Sequence, residues 1–434
     1  MEQNSPASVV KKVCYHALHR CMAYMYASLK FIDHIPCIDA TLAQFLCCVG
    51  GVYQSKLVPQ ETPPRYPSKM TKEYVEPANI PVIDFRALTS ENPQERKDAL
   101  NQLDEAFQTY GFIYLSNHSI GQKLVDEAFS WSRRFFHLPD ETKALCKHQT
   151  VAADHRGWAA VGTGFVSQDV WDKDEIEKLR KTAPIEQKEI LEMGNPHSKG
   201  DPGESIVNRL LPEDVFPGFR AFIEKWWDAC FKQQLQVLRA LCEILEYTDL
   251  DYLGKQQDPS RSRNHMSWLY YLSQPVAPLR SGESNRLNTH TDFTQLTLLF
   301  QDMVGGLEVH DYNAGIFRPV LPKPGTMIVH VGDMLEKQSN GKWKSALHHV
   351  SAPSHLKYGD EKTNEDTVVE RFFMSFYGTP QHDVMIEPIP GCEAAGKWQT
   401  LQWEPNMTAG AWIQKRVALE YGDGQQAPQV VSAA

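Results

Sequence analysis

Arg286-Leu-Asn-Thr-His290-Thr-Asp292-Phe-Thr-Gln-Leu-Thr-Leu-Leu-Phe300 is the stretch from which the rest of the chain is best read. If its backbone is extended, the imidazole of His290 and the carboxylate of Asp292 project to the same face, because side chains alternate with a period of two. One nitrogen and one oxygen are then in reach of a single cation. The residues that follow, Thr294 to Phe300, are β-branched or apolar and read as a strand able to hold the pair rigidly. A lone His-x-Asp in a chain with 16 histidines is weak evidence for a metal. A third ligand is what gives it weight.

That ligand is offered downstream. Beyond the apolar strand Thr326 to Val331 and the turn at Gly332-Asp333 comes Ala346-Leu-His348-His349-Val350. Two imidazoles and one carboxylate on one face of an octahedron leave three positions open, as in non-haem Fe(II) oxygenases, whereas structural zinc closes its shell. Alternation allows only one of His348 and His349 to reach the metal, and His348 is the candidate. Further on, Arg371-Phe-Phe-Met-Ser375-Phe-Tyr377 supplies an arginine whose fork matches a carboxylate bidentately.

On these residues the chain resembles the 2-oxoglutarate/Fe(II)-dependent dioxygenase superfamily, in its isopenicillin N synthase-like branch. The resemblance spans about Ile80 to Pro388 and includes Gly111-Phe-Ile-Tyr-Leu-Ser-Asn-His118, close to the family's N-terminal motif. It implies that His290, Asp292 and His348 are the iron ligands. Arg371 and Tyr271, the second tyrosine of Trp268-Leu-Tyr-Tyr-Leu272, would hold 2-oxoglutarate. Fe(2+) is then the cofactor, 2-oxoglutarate and O2 are co-substrates, and ascorbate is an accessory reductant. Oxidation of an unactivated C–H bond, by hydroxylation or desaturation, releases succinate and CO2. Two departures stand out. The family's Arg-x-Ser reads Arg371-x-Phe373 here, with Ser375 one alternation further on, and the gap from His348 to Arg371 is longer than usual. Phe373 keeps open a 2-oxoglutarate-independent Fe(II) oxidase of the same fold; a non-catalytic small-molecule binder is the third reading.

The fold expected is α+β, a double-stranded β-helix (jelly-roll) core flanked by helices. Short strands separated by Gly, Pro and Asn run from about Asn264 onward. Residues 1–79 form an N-terminal extension and linker, 80–250 the helical and strand region that precedes the core, 262–380 the jelly roll and 381–434 a tail. Asn92-Pro93-Gln-Glu95 opens one helix. A second is expected from about Lys123 to His137, and Phe219 to Tyr247 is a long one with a core-facing aromatic stripe. Arg156 to Thr163 and Lys188 to Gly194 read as mostly architectural, residues 354–366 as an exposed loop, and His118 as a turn or packing histidine. His330 lies on a strand that could face the pocket and reads as a hydrogen-bonded histidine near the barrel lining. Substrate contacts are expected from the N-terminal region, the loop around 274–285 and the tail.

A net charge of −10 without a basic run disfavours nucleic acid, and a small organic substrate, in specialised metabolism, fits better. Five of the 9 cysteines precede residue 50, in no zinc pattern. The segment 13–53 is interrupted by charged residues and is expected neither to span a membrane nor to act as a leader, so a reduced cytoplasmic setting is expected.

Overall fold

The computed structural model of the protein describes residues 74–148, 156–163, 178, 186–198, 207–261, 263–357, 367–394, 396–398 and 407–421. The expected N-terminal extension up to residue 73 and the stretch 358–366 lie outside them. In chain order the strands are β1 (Val82–Asp84), β2 (Phe112–Ser116), β3 (Gly157–Ala159), β4 (Lys188–Gly194), β5 (His265–Tyr271), β6 (Gln274–Pro275) and β7 (Leu287–His290). They continue with β8 (Leu296–Gln301), β9 (Leu307–Asp311), β10 (Ile316–Pro319), β11 (Thr326–Val331), β12 (His348–Val350), β13 (Thr367–Val368) and β14 (Arg371–Gly378). Five helices matter here: α1 (Pro93–Thr109), α2 (Gln122–Phe136), α3 (Phe219–Ile244), α4 (Asp333–Gln338) and α5 (Ala409–Tyr421).

Two sheets face each other. The larger has the order β1-β2-β11-β8-β14-β5-β4-β3, the smaller β10-β9-β12-β7. Residue alternation assigns the two faces of the large sheet. Phe112, Tyr114, Leu299, Ile328, Leu269 and Phe373 point between the sheets and meet Leu287, Leu307, Val309 and Val350 of the small one. Their strand neighbours Ile113, Leu115, Leu298, Phe300, Met327, Val329, Phe372 and Met374 point outward into the second core, beneath the helices. Both faces of these strands are therefore buried, which is why they read as continuous apolar runs and not as alternating ones. This is the jelly roll, with helices over one outer face.

The helices are explained by local chemistry. Asn92 caps α1, its Oδ1 accepting from the N–H groups of Gln94 and Glu95 at 3.0 and 3.4 Å, and Pro93 occupies the first turn, where its missing N–H costs nothing. α3 lays Phe219 and Phe222 against Trp268 of β5, with ring centres 5.6 and 6.2 Å apart, and Trp226 against Phe300 of β8 at 5.0 Å. Gly111, at φ +71, precedes β2; a Cβ there would sit 1.9 Å from the Lys344 carbonyl oxygen, so only glycine fits.

The region before residue 250 is not a separate layer, since β1-β2 and β4-β3 form the two ends of the same large sheet. The last residues of the expected linker also dock. The Ala78 N–H donates to the Pro319 carbonyl at 2.9 Å, and the Arg318 guanidinium donates to the Glu76 carbonyl at 3.3 Å. The start of the expected 354–366 loop is instead a short helix, Ser354–Lys357, whose buried Leu356 packs on Val276, Leu279 and Val368. No helix among the described residues is long and apolar enough to cross a membrane.

Trp268 is fully buried and takes two of the aromatic contacts that hold α3 to the sheet. Trp268→Ala is expected to cost about 3–5 kcal/mol, read as a lower denaturation midpoint; a loss under about 1 kcal/mol would show that α3 is held elsewhere.

Candidate active site

His290 is the last residue of β7, and His348 the first of β12. The two are paired in register in the small sheet, with ring centres 4.3 Å apart. Asp292 Oδ1 lies 3.6 Å from Nε2 of each ring, and one ligand atom from each of the three residues falls within 4.8 Å of the others. All three are buried. On both imidazoles Nδ1 is engaged with a main-chain oxygen, Asn288 O at 2.8 Å for His290 and Ala346 O at 3.0 Å for His348. A ring that donates from Nδ1 carries its lone pair on Nε2, and both Nε2 atoms face Asp292.

The pair differs from the sequence expectation in one respect. The strand stops at His290, so Asp292 is presented by the β7–β8 connection and not by extended backbone. Rigidity comes from a clamp. The N–H groups of Gly332, Asp333 and Met334 donate to the carbonyls of Gln295, Asp292 and Thr294 at 2.8, 2.7 and 3.0 Å. Gly332 has to be glycine because a Cβ would stand 2.2 Å from the Thr294 oxygen. From the far side α5 closes on the same loop: Trp412 Nε1 donates to Phe293 O at 3.0 Å. Buried Arg416 bridges Thr291 O at 3.3 Å and the Asp333 carboxylate at 3.2 Å. Nearly every carbonyl of the loop is thus satisfied.

Electrostatics favour the ligating protonation states. Burial by itself would raise the Asp292 carboxyl, but the imidazoles of His330, His348 and His290 and the Thr297 hydroxyl outweigh it and hold it below its usual range. Burial, then the neighbouring His348, push the His290 imidazole well down, so it is neutral at physiological pH. Thr297 Oγ1 donates to Asp292 Oδ2, leaving Oδ1 toward the histidines.

His330, expected near the barrel lining, stacks on Phe112 with ring centres 4.5 Å apart and places Nε2 3.4 Å from Asp292 Oδ2. It therefore backs the carboxylate. His349 points the other way from His348, as alternation requires. Its Nδ1 meets Thr289 Oγ1 at 3.1 Å and its Nε2 donates to Glu308 at 2.6 Å. His118 packs edge-on against Phe300, outside this cluster.

Arg371 opens β14 directly opposite Tyr271 on β5, its Cζ 5.1 Å from the Tyr271 ring centre. Tyr270 faces outward, its hydroxyl on Glu370 at 2.9 Å. Both Arg371 and Tyr271 are fully buried, and the arginine Nε and Nη1 and the tyrosine hydroxyl find no protein partner. Buried donors left this way ask for an anion. Phe373 and Ser375 follow on the same face; Ser375 is buried, its hydroxyl lies against that of Tyr377, and it pairs with Ser267 of β5.

Beside Asp292 lies a cavity of about 150 Å³. Its walls include Ile190, Leu269, Phe293 and Ile413, with Arg156, Lys188, Glu192, Arg263, His265 and His382 as polar edges. Two expectations need correction here. Segments 156–163 and 188–194 contribute Arg156, Lys188, Ile190 and Glu192, because β4 pairs with β5 and alternate residues of it face inward. The loop 274–285 contributes none; it pairs through β6 with β13 and packs Val276 and Leu279 into a small cluster of its own.

The N-terminal model for non-haem dioxygenases of the morphine-synthesis type matches residues 80–216, and the 2OG-Fe(II) oxygenase superfamily model matches 252–358. The 2-oxoglutarate-dependent dioxygenase lolO2 of Epichloe uncinata is 50% identical over 81% of this chain and 97% of its own length. Proline hydroxylase buaE of Petromyces alliaceus is 31% identical over 78% and 98%. Among solved structures, a full-length Neurospora crassa protein in complex with alpha-KG and thymine aligns with a TM-score of 0.65 and 30% identity, over 78% of this chain and 96% of that one.

Thr297→Val removes the hydrogen bond that orients Asp292 and is expected to weaken Fe(II) affinity about 10- to 100-fold in a chelator competition; unchanged affinity would show that the clamp alone positions the carboxylate. Glu308, buried between His349 and Lys357, is raised by burial but lowered further by these two partners, to about 2. Its folded value lies below the unfolded one, so its stabilisation is present above about pH 4.5 and is lost as pH falls toward about 2. Wild type should lose on the order of 2–3 kcal/mol more across that window than Glu308→Gln; parallel pH profiles would contradict this.

Proposed function

The chain belongs to the 2-oxoglutarate- and Fe(II)-dependent oxygenases, and from that premise we propose that His290, Asp292 and His348 hold its ferrous ion. It is an oxidoreductase that uses Fe(2+) and 2-oxoglutarate, as its relatives are named for. We assign Arg371 and Tyr271 to the far carboxylate of 2-oxoglutarate and the neighbouring cavity to a small organic substrate. The observation that carries this reading is the convergence of three ligand atoms within 4.8 Å, with both histidines held through Nδ1.

The group bound there supplies oxidation of an unactivated C–H bond by O2, with release of succinate and CO2. The protein's own part is positioning and exclusion of water. The clamp from Gly332 to Met334 fixes the carboxylate, the paired strands fix the rings, and Arg371 anchors the dicarboxylate from the large sheet. Ile413 and Val417 of α5 cover the cavity from the tail, so residues of 381–434 belong to the substrate site. The oxidase without 2-oxoglutarate that Phe373 keeps open is opposed by the relatives named as 2-oxoglutarate-dependent dioxygenases and by the buried donors of Arg371 and Tyr271, which favour the dicarboxylate.

For the substrate, one relative is named a proline hydroxylase and one aligned structure holds thymine, both small molecules with polar edges. A cavity with apolar walls and a polar rim suits that class. We place the reaction in fungal specialised metabolism on the strength of relatives such as those of Epichloe uncinata and Petromyces alliaceus. A cytoplasmic location is part of the same reading, supported by Cys146, Cys230, Cys242 and Cys392 all being buried free thiols.

His348→Ala and Asp292→Ala are each expected to abolish stoichiometric Fe(II) binding and the release of CO2 from 2-oxoglutarate while the fold is retained. Iron content and turnover at the wild-type level in His348→Ala would refute the ligand assignment.

A further inference from the structure

Arg286 begins the stretch that leads to His290, yet none of the roles assigned above uses it. It is completely buried, immediately before β7, and its backbone N–H donates to Val350 O at 3.0 Å. The side chain runs to the ends of two strands of the other sheet. Nη2 donates to Leu272 O, just past β5, at 3.2 Å and to Val369 O, just before β14. This is the corner that holds Arg371. The Cζ atoms of Arg286 and Arg371 lie 5.9 and 5.1 Å from the centre of the same Tyr271 ring.

The corner contains two guanidinium groups and, among the described residues, no carboxylate within 4.0 Å of either. Nε and Nη1 of both arginines, the Tyr271 hydroxyl and Gln301 Nε2 are buried donors without a partner. The side-chain acceptor present is Gln301 Oε1, which takes Arg371 Nη2 at 3.1 Å. Burial, and then the charge of Arg371, bring the Arg286 guanidinium down to about 10, so it stays protonated at neutral pH. Two desolvated guanidinium groups share the Tyr271 ring, and although the charge of Asp302 acts on Arg286 it forms no ion pair with it, so an anion joining both groups would relieve the cost of burying them. Arg286 is not simply a strand tie, because two carbonyls use only Nη2 and leave Nε and Nη1 without a hydrogen-bond partner among the described residues.

A carboxylate offers about four lone-pair sites. Arg371 alone cannot fill them, and Phe373, two residues on along the same face, brings a ring and no hydroxyl. We infer that Arg286 is a second cationic contact for the far carboxylate of 2-oxoglutarate, supplying in this chain the donors that Phe373 does not. The inference rests on the assignment of that carboxylate to Arg371 and Tyr271. It makes Arg286 a determinant of selectivity for a dicarboxylic 2-oxo acid over a monocarboxylic one.

The test is calorimetric titration of the full-length Fe(II) protein, without oxygen, with 2-oxoglutarate and with 2-oxobutyrate, which keeps the chelating end and lacks the far carboxylate. Arg286→Met should weaken 2-oxoglutarate about 10- to 100-fold and leave 2-oxobutyrate within about twofold. Arg286→Lys should recover part of the loss. Unchanged 2-oxoglutarate affinity, or an equal loss for both acids, would overturn the inference and leave Arg286 a strand tie. Should Arg286→Met not fold, the ratio of the two affinities in Arg286→Lys decides: a lower ratio than wild type supports the contact, an equal ratio overturns it. A wild type that binds both acids equally would overturn the assignment of the corner to Arg371 as well, whereas discrimination lost in Arg371→Met but kept in Arg286→Met would overturn Arg286 alone.

Discussion

The register between β7 and β12 is the constraint on which the site depends. His348 stands opposite His290 because Val350 stands opposite Leu287, with one irregularity between the two pairs. Side chains on a strand alternate, so a slip of one residue would turn His349 inward and His348 toward Glu308. That slip is opposed from both sides. Val350 is buried between the sheets, and His349 is committed to Thr289 and Glu308 on the outer face. A packing preference thus becomes a statement about which imidazole meets Asp292.

Asp292 is held by different means, and the difference is instructive. It stands outside any strand, so its geometry depends on backbone donors of Gly332, Asp333 and Met334 that arrive from a segment about forty residues later. The same Asp333 takes a charge-assisted bond from Arg416 of α5. One short segment therefore joins the loop of Asp292 to the helix that borders the neighbouring cavity. Directly across the barrel the large sheet contributes Arg371 and Tyr271, and Arg286 reaches the same corner from the start of β7 in the small sheet. On the proposed reading the small sheet positions the two imidazoles, the β7–β8 connection positions the carboxylate, and the cationic corner is the counter-charge for a dianion.

Much of this is legible because the residues concerned carry their chemistry in their type. A His-x-Asp, a later histidine after an apolar strand and an arginine at a strand start stand out against the chain, and the expected strand Thr326 to Val331 has those bounds in the structure. What stays hidden is set by long-range contact. Nothing near Arg416 signals that it would reach Asp333. His330 is legible as a residue on a strand near the barrel lining, but not as the neighbour of Asp292. β4 reads as mostly architectural; only its pairing with β5 shows that Lys188, Ile190 and Glu192 edge the cavity. Arg286 stands at the head of the stretch that decides the fold, yet no neighbour in sequence signals its role, since the carbonyls it meets lie 14 and 83 residues away.

Diffraction at the metal absorption edge, from crystals grown without oxygen with Fe(II), tests the central claim most directly. One anomalous peak is expected, at about 2.0–2.2 Å from Nε2 of His290, Nε2 of His348 and a carboxylate oxygen of Asp292. A protein saturated with iron whose peak lies elsewhere, or touches only one of these three side chains, would contradict the account.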